Sequence, residues 1–78
     1  MKIEVTSIQS SNVSRMTYHQ DSDTKYLIVT FNNGSKYKYL DVSLDTFLTT
    51  LRATSIGSAF NSLIKNNHKV VNLNGSIE

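Results

Sequence analysis

The sequence predicts an α+β fold: a small antiparallel sheet of three to four strands in meander order, followed by two helices packed on one of its faces. Three observations carry this. Over residues 12–40 apolar side chains recur at every second position, the period of a strand. From Ser43 onward they recur every three to four positions, the period of a helix. Between the two best alternating runs stands Asn33-Gly34, a pair that supplies the positive φ of a two-residue hairpin turn.

Each element follows from local pattern. Ile3, Val5 and Ile8 suit a short edge strand within residues 1–9. Asn12 to His19 carries Met16 and Tyr18 on one face, and Val13 falls outside that period, which predicts a bend or bulge near the start. Gln20 to Thr24 is a polar connection. In Lys25 to Phe31 both faces are apolar, Leu27, Val29 and Phe31 against Tyr26, Ile28 and Thr30, as in a central strand. Ser35 to Leu40 returns with Tyr37 and Tyr39 on one face and Lys36 and Lys38 on the other. The sheet therefore has one aromatic face, towards the helices or the hairpin mouth, and one cationic, wetter face.

Leu44, Phe47, Leu48 and Leu51 make the first helical stripe, with Ser43 as N-cap, Asp45 in the first turn and Arg52 near the end, all favourable for the helix dipole. Ile56, Ala59, Phe60, Leu63 and Ile64 make the second, entered from Ser55 and closed by Lys65 and Asn66-Asn67. Val70, Val71 and Leu73 suit a short closing strand, and Asn74-Gly75 a turn.

Seventy-eight residues make one domain, near the lower limit for a self-sufficient core. With no cysteine, disulfides, thiolate metal sites and cysteine catalysis are excluded. Association of copies is then the remaining common reinforcement, so a homo-oligomer is expected. Residues 1–7 lack the apolar core of a signal peptide, no apolar run is long enough to span a membrane, and a cytoplasmic location is expected. A net charge of +2 covers a few phosphates, not a long nucleic-acid groove, and favours a compact anionic ligand or a protein partner.

Catalysis finds little support. His19 and His68 are the only histidines, and neither lies in a nucleophile motif. His19-x-Asp21-x-Asp23 has metal-ligand residue types but lacks the glycine and terminal glutamate of a calcium loop, and reads as a polar hairpin loop. Asp41 and Asp45 suit a helix start, and the three glycines are scattered, so no phosphate loop exists. We expect no enzyme, no cofactor and no metal. The tyrosines, Tyr18, Tyr26, Tyr37 and Tyr39, have two readings: amphipathic packing, or stacking on a nucleobase. Ser55-x-Gly57 likewise reads as a helix cap with a close-packing glycine, or as an anion site charged by Arg52.

Taken in order, Ser10-Ser11-Asn12-Val13, Tyr18, Leu27-x-Val29-x-Phe31, Gly34, Tyr37-x-Tyr39, Val42, Phe47, Ala53, Ser55, Gly57, Phe60-Asn61 and Ile64-Lys65 resemble the KTSC domain, a module named for its occurrence at the C-terminus of some lysyl-tRNA synthetases. The resemblance runs from Ser10 to about Lys69 within a single domain, residues 1–78. It departs at Ser43, where the family usually has proline, and at Ala59, where it usually has an aromatic residue. The resemblance implies a fold and no defined activity. Many members stand alone as small bacterial or phage proteins, and this chain is read as one of those, with a phage origin suggested.

The function expected from these residues is non-catalytic binding of a phosphate-bearing ligand, a nucleotide or structured RNA, through Asn12, Tyr18, Tyr39, Arg52, Ser55, Gly57, Asn61 and Lys65. A phage copy would use such a pocket to sequester a small signalling nucleotide. The alternative is a protein-interaction module, an inhibitor or adaptor of a host protein.

Overall fold

The computed structural model describes residues 1–74. Five strands form one antiparallel sheet: β1 (Lys2–Val5), β2 (Val13–Gln20), β3 (Lys25–Phe31), β4 (Lys36–Leu40) and β5 (Val70–Asn72). Their order across the sheet is their order along the chain. Between β4 and β5 the chain makes α1 (Leu44–Arg52) and α2 (Ile56–Phe60), and α2 runs directly into a single π turn, Asn61–Lys65. The class is the expected α+β, but the sheet has five strands where the sequence predicts three to four. The extra pairing lies at the edges. β1 and β5, four and three residues with one neighbour each, form where Ile3 and Val5 and where Val70 and Val71 suit short strands, and both join the one sheet. The turn expected at Asn74-Gly75 runs out of the described residues.

Two local expectations meet different outcomes. The bulge near the start of β2 is present: Val13 opposes Phe31 while Arg15 opposes Thr30, leaving Ser14 as the inserted residue. The Asn33-Gly34 hairpin is a correction. Phe31 N–H donates to Ser35 O at 2.8 Å and Gly34 N–H donates back to Phe31 O at 2.9 Å, enclosing a three-residue loop, Asn32-Asn33-Gly34. A two-residue type I′ turn needs positive φ at both central residues. Only Gly34 has it here, at φ 91°. The other positive φ among the described residues is Asp41, at 60°, between β4 and α1.

The sheet's alternation decides where the core sits. Met16, Val29 and Tyr37 align across β2, β3 and β4, as do Tyr18, Leu27 and Tyr39. This face is covered by the helices. Phe47 of α1 stacks on Tyr18 with ring centroids 5.0 Å apart, and Phe60 of α2 meets Tyr39 edge to face at 5.2 Å. Val13, Val42 and Ile64 complete the buried cluster. Full burial of each aliphatic or aromatic side chain stabilises by about 1.5–3 kcal/mol. Ser43 caps α1 as expected, its Oγ accepting from Thr46 N–H at 3.1 Å. Thr50 is buried without an unmet hydroxyl because its Oγ1 donates to Thr46 O at 2.9 Å. Asn67 closes the helical segment: its Nδ2 donates to the carbonyls of Ser62 and Leu63 at 2.9 and 3.2 Å.

Candidate ligand-binding corner

Three loops meet where the hairpin, the approach to β2 and the start of α2 converge. Ser10 organises the junction. Its Oγ accepts from the backbone N–H groups of Asn12 and Val13, both at 3.2 Å. Its carbonyl accepts from Asn32 Nδ2 at 3.2 Å, and Asn32 N–H donates to Asn12 O at 2.7 Å. The 10–12 loop is thereby tied to the hairpin loop. Gly57 lies against the same serine: a Cβ on Gly57 would stand 3.3 Å from Ser10 Oγ, tighter than nearly all real Cβ contacts. The glycine lets the helix start approach the loop.

The junction encloses a cavity of about 420 Å³, within the size range of small-molecule sites. Its aromatic side is built by Phe31, Tyr37 and Phe60, with Phe31 edge-to-face against Tyr37 at 5.8 Å and against Phe60 at 5.7 Å. Its rim carries four carboxamides, Asn12, Asn32, Asn33 and Asn61, and Lys65 is the one cation lining it. A second, almost wholly polar hollow of about 270 Å³ adjoins it through Ser11, Asn12, Gly57 and Asn61 and extends to Ser55 and Thr54. Among the described residues no Asp, Glu or His lines either hollow. The field in the corner is thus set by one ammonium group among neutral donors and acceptors.

The π turn contributes directly. Asn61 and Lys65 are its first and last residues. A π turn holds more residues per turn than α-helix, and such turns concentrate at functional sites. Here its first and last residues both line the cavity.

Of the eight residues expected at a site, four line the larger cavity: Asn12, Gly57, Asn61 and Lys65. Ser55 borders the smaller one, where its Oγ is engaged as a cap, accepting from Ser58 N–H at 3.3 Å. Three line neither hollow. Tyr18 is fully buried, its ring against Phe47 and its hydroxyl donating to Val42 O at 2.8 Å. Tyr39 is 4% exposed and packs on Phe60. Both stand on the helix-covered face, so neither offers a ring to a base. Arg52 is exposed at the end of α1 and lines neither hollow. Burial also pushes the Tyr18 and Tyr39 phenols above the ordinary tyrosine range, with the neighbouring Tyr37 adding to the shift at Tyr39.

Phe31, Tyr37, Asn32 and Asn33 line the cavity without having been expected to. Phe31 reads as a core anchor, yet it is half-buried, paired with Val13 beside the β2 bulge. The density of asparagine around residues 32–33 was the available signal. The Asp21 loop is a self-capped turn: Asp21 Oδ1 accepts from Thr24 N–H at 2.9 Å, Asp23 N–H at 3.0 Å and Thr24 Oγ1 at 3.0 Å. These bonds, led by the one from Thr24 N–H, hold its carboxyl below the usual carboxylate range. Among the described residues no helix is long and apolar enough to cross a membrane.

The sequence model of the KTSC domain matches residues 9–68, most of the chain and all three loops of the corner. No curated protein matches the chain.

Proposed function

The chain belongs to the KTSC domain family, and from that premise we propose that it is a non-catalytic binding module whose corner cavity takes a small phosphate-bearing nucleotide. The observation that supports this reading most is the chemistry of the lining: among the described residues, an aromatic side, four carboxamides, one lysine and no carboxylate. Carboxamides pair with the donor and acceptor edges of a nucleobase. Lys65 supplies one positive charge for a phosphate, and no lining carboxylate opposes it. A single cation suits a ligand with one or two phosphate groups better than a long backbone. Amides, hydroxyls, rings and one ammonium group suit the binding and orientation of such a ligand.

The test is a panel of linear and cyclic nucleotides, with tRNA alongside, read by thermal shift and calorimetry on purified protein. A ligand at 100 times its Kd adds about 2.7 kcal/mol, a rise of roughly 10 °C or more for a domain of this size. Lys65→Ala is expected to abolish the rise. A panel without any shift overturns the reading.

A second reading, a protein-interaction module or self-associating chain, draws on one observation. β5 is an edge strand, and Val70, Val71 and Leu73 are 52%, 42% and 39% exposed. Exposed apolar edge strands are templates for pairing. A solution mass above one chain, lost in Val71→Lys, supports self-association, and capture of one specific host protein supports an adaptor.

A further inference from the structure

The second face of the sheet carries no helix. Its residues follow from the register. One row across the strands is Arg15, Thr30 and Lys36; the next is Glu4, Thr17, Ile28, Lys38 and Val71; the third is Lys2, His19, Tyr26 and Leu40. Four of the chain's eight Lys and Arg thus share one face, and Glu4 is its only acid among the described residues. Glu4 is partly neutralised by Arg15, 3.2 Å away. The modest charge of the whole chain conceals this segregation.

The cations have defined settings. Arg15 and Lys36 border one hollow of about 350 Å³, which also presents the hydroxyl residues Thr6, Ser14 and Thr30. The β2 bulge places Ser14 there, its Oγ donating to Thr30 O at 3.1 Å. Two cations beside the hydroxyls of Thr6 and Thr30 around a concavity suit a phosphate group. One strand position along, Lys38 lies with its Nζ 4.4 Å from the centre of the Tyr26 ring, and His19 stacks on the same ring at 4.8 Å. An aromatic pair therefore stands beside the cations.

We propose that this uncovered sheet face binds single-stranded nucleic acid, with backbone phosphate at Arg15, Lys36 and Lys38 and a base against His19 of the His19–Tyr26 stack. Charge selects the occupant. A second copy would bring a like-charged face, which opposes self-docking. An acidic peptide would satisfy the cations but has no use for planar rings next to them, whereas stacked bases alternate with phosphates along every single strand. The corner cavity, with its single lysine, is a separate site, and this face does not depend on it.

The test is an amide-resolved NMR titration of the protein with a thymidine hexamer. Shifts at Arg15, Thr30, Lys36 and Lys38 are expected. Release of about three counterions from a single strand gives a log–log salt slope near −2, so affinity falls about tenfold between roughly 30 and 100 mM salt. The combined variant R15Q/K36Q/K38Q is expected to weaken binding at least about tenfold and flatten that slope. E4Q removes the competing carboxylate and is expected to tighten binding, a gain that loss of fold could not produce. Absence of any shift, or shifts confined to Asn12, Gly57 and Asn61, overturns the proposal. So does equal binding of polyglutamate at the same amides, which assigns the face to an acidic protein. K65A removes nucleotide binding at the corner and leaves hexamer binding intact, so the two readings fail independently.

Discussion

The two faces of the sheet use the same strands and the same alternation, yet they divide the work. The inner face holds Met16, Tyr18, Leu27, Val29 and Tyr39, all buried beneath the helices. The outer face holds Thr17, His19, Tyr26, Ile28 and Lys38, all half-buried, with no helix above them. A tyrosine means something different on each. Tyr18 is closed by Phe47 and by its bond to Val42 O, whereas Tyr26 lies between a histidine and a lysine at the surface. The contrast teaches that residue type is a poor guide to role in so small a sheet; the parity of a position decides it.

Substitutions can break or sharpen this contrast. The largest effect is expected from Phe60→Ala. It removes a ring that touches Phe31 and Tyr39, and core losses of this kind cost about 3–5 kcal/mol. Urea denaturation should show it as the near-complete loss of a folded baseline. Next comes Tyr18→Phe, which strands the buried Val42 carbonyl and costs about 1–3 kcal/mol by the same measurement.

Alkaline pH acts on the same face. Above about pH 10 the unfolded chain releases phenolic protons that folded Tyr18 and Tyr39 retain. Stability from these two groups is complete below that pH and is lost as pH climbs through their raised values. The urea midpoint should therefore fall from about pH 9 to pH 11, and less so in Tyr39→Phe.

On the outer face, Lys38→Ala removes a cation–π contact worth about 0.5–1 kcal/mol at an exposed site, with a melting shift of a few degrees. A loss equal to that of Phe60→Ala would break the division between the faces. The smallest change in stability is expected from Gly57→Ala. Helix propensity favours alanine by about 1 kcal/mol. The 3.3 Å approach to Ser10 Oγ, pinned by two N–H donors, opposes it. Stability should move little while the nucleotide-induced thermal shift shrinks, separating the corner's shape from the fold's strength.

Most of the fold is legible because β2, β3, β4 and both helices are long enough to display a period. The edges show only as short apolar runs at Ile3 and Val5 and at Val70 and Val71; that β5 pairs with β4, two helices away in sequence, leaves no local mark. The hairpin was placed correctly but typed as two residues instead of three, because Asn33 tolerates either sign of φ and only the loop's hydrogen bonds decide between them. At the corner, Asn12, Gly57, Asn61 and Lys65 were legible through the motif order that carries the family. Phe31 and Tyr37 were not, because whether an aromatic residue is a core anchor or a cavity wall depends on how closely the helix start approaches. Tyr18 and Tyr39 misled for the reason parity gives: once the helices are assigned to one face, every residue in step with Leu27 and Val29 goes under them.

The identity between strand order and chain order has a consequence for synthesis. Each strand up to β4 pairs with the one made just before it, so a chain leaving the ribosome meets its next partner as soon as that partner emerges. Loop closures are short and their entropic cost is small, which favours rapid folding. The exception is β5, which waits for α1, α2 and the π turn before it reaches β4. The last strand of the sheet to be made is thus the one that zips it shut.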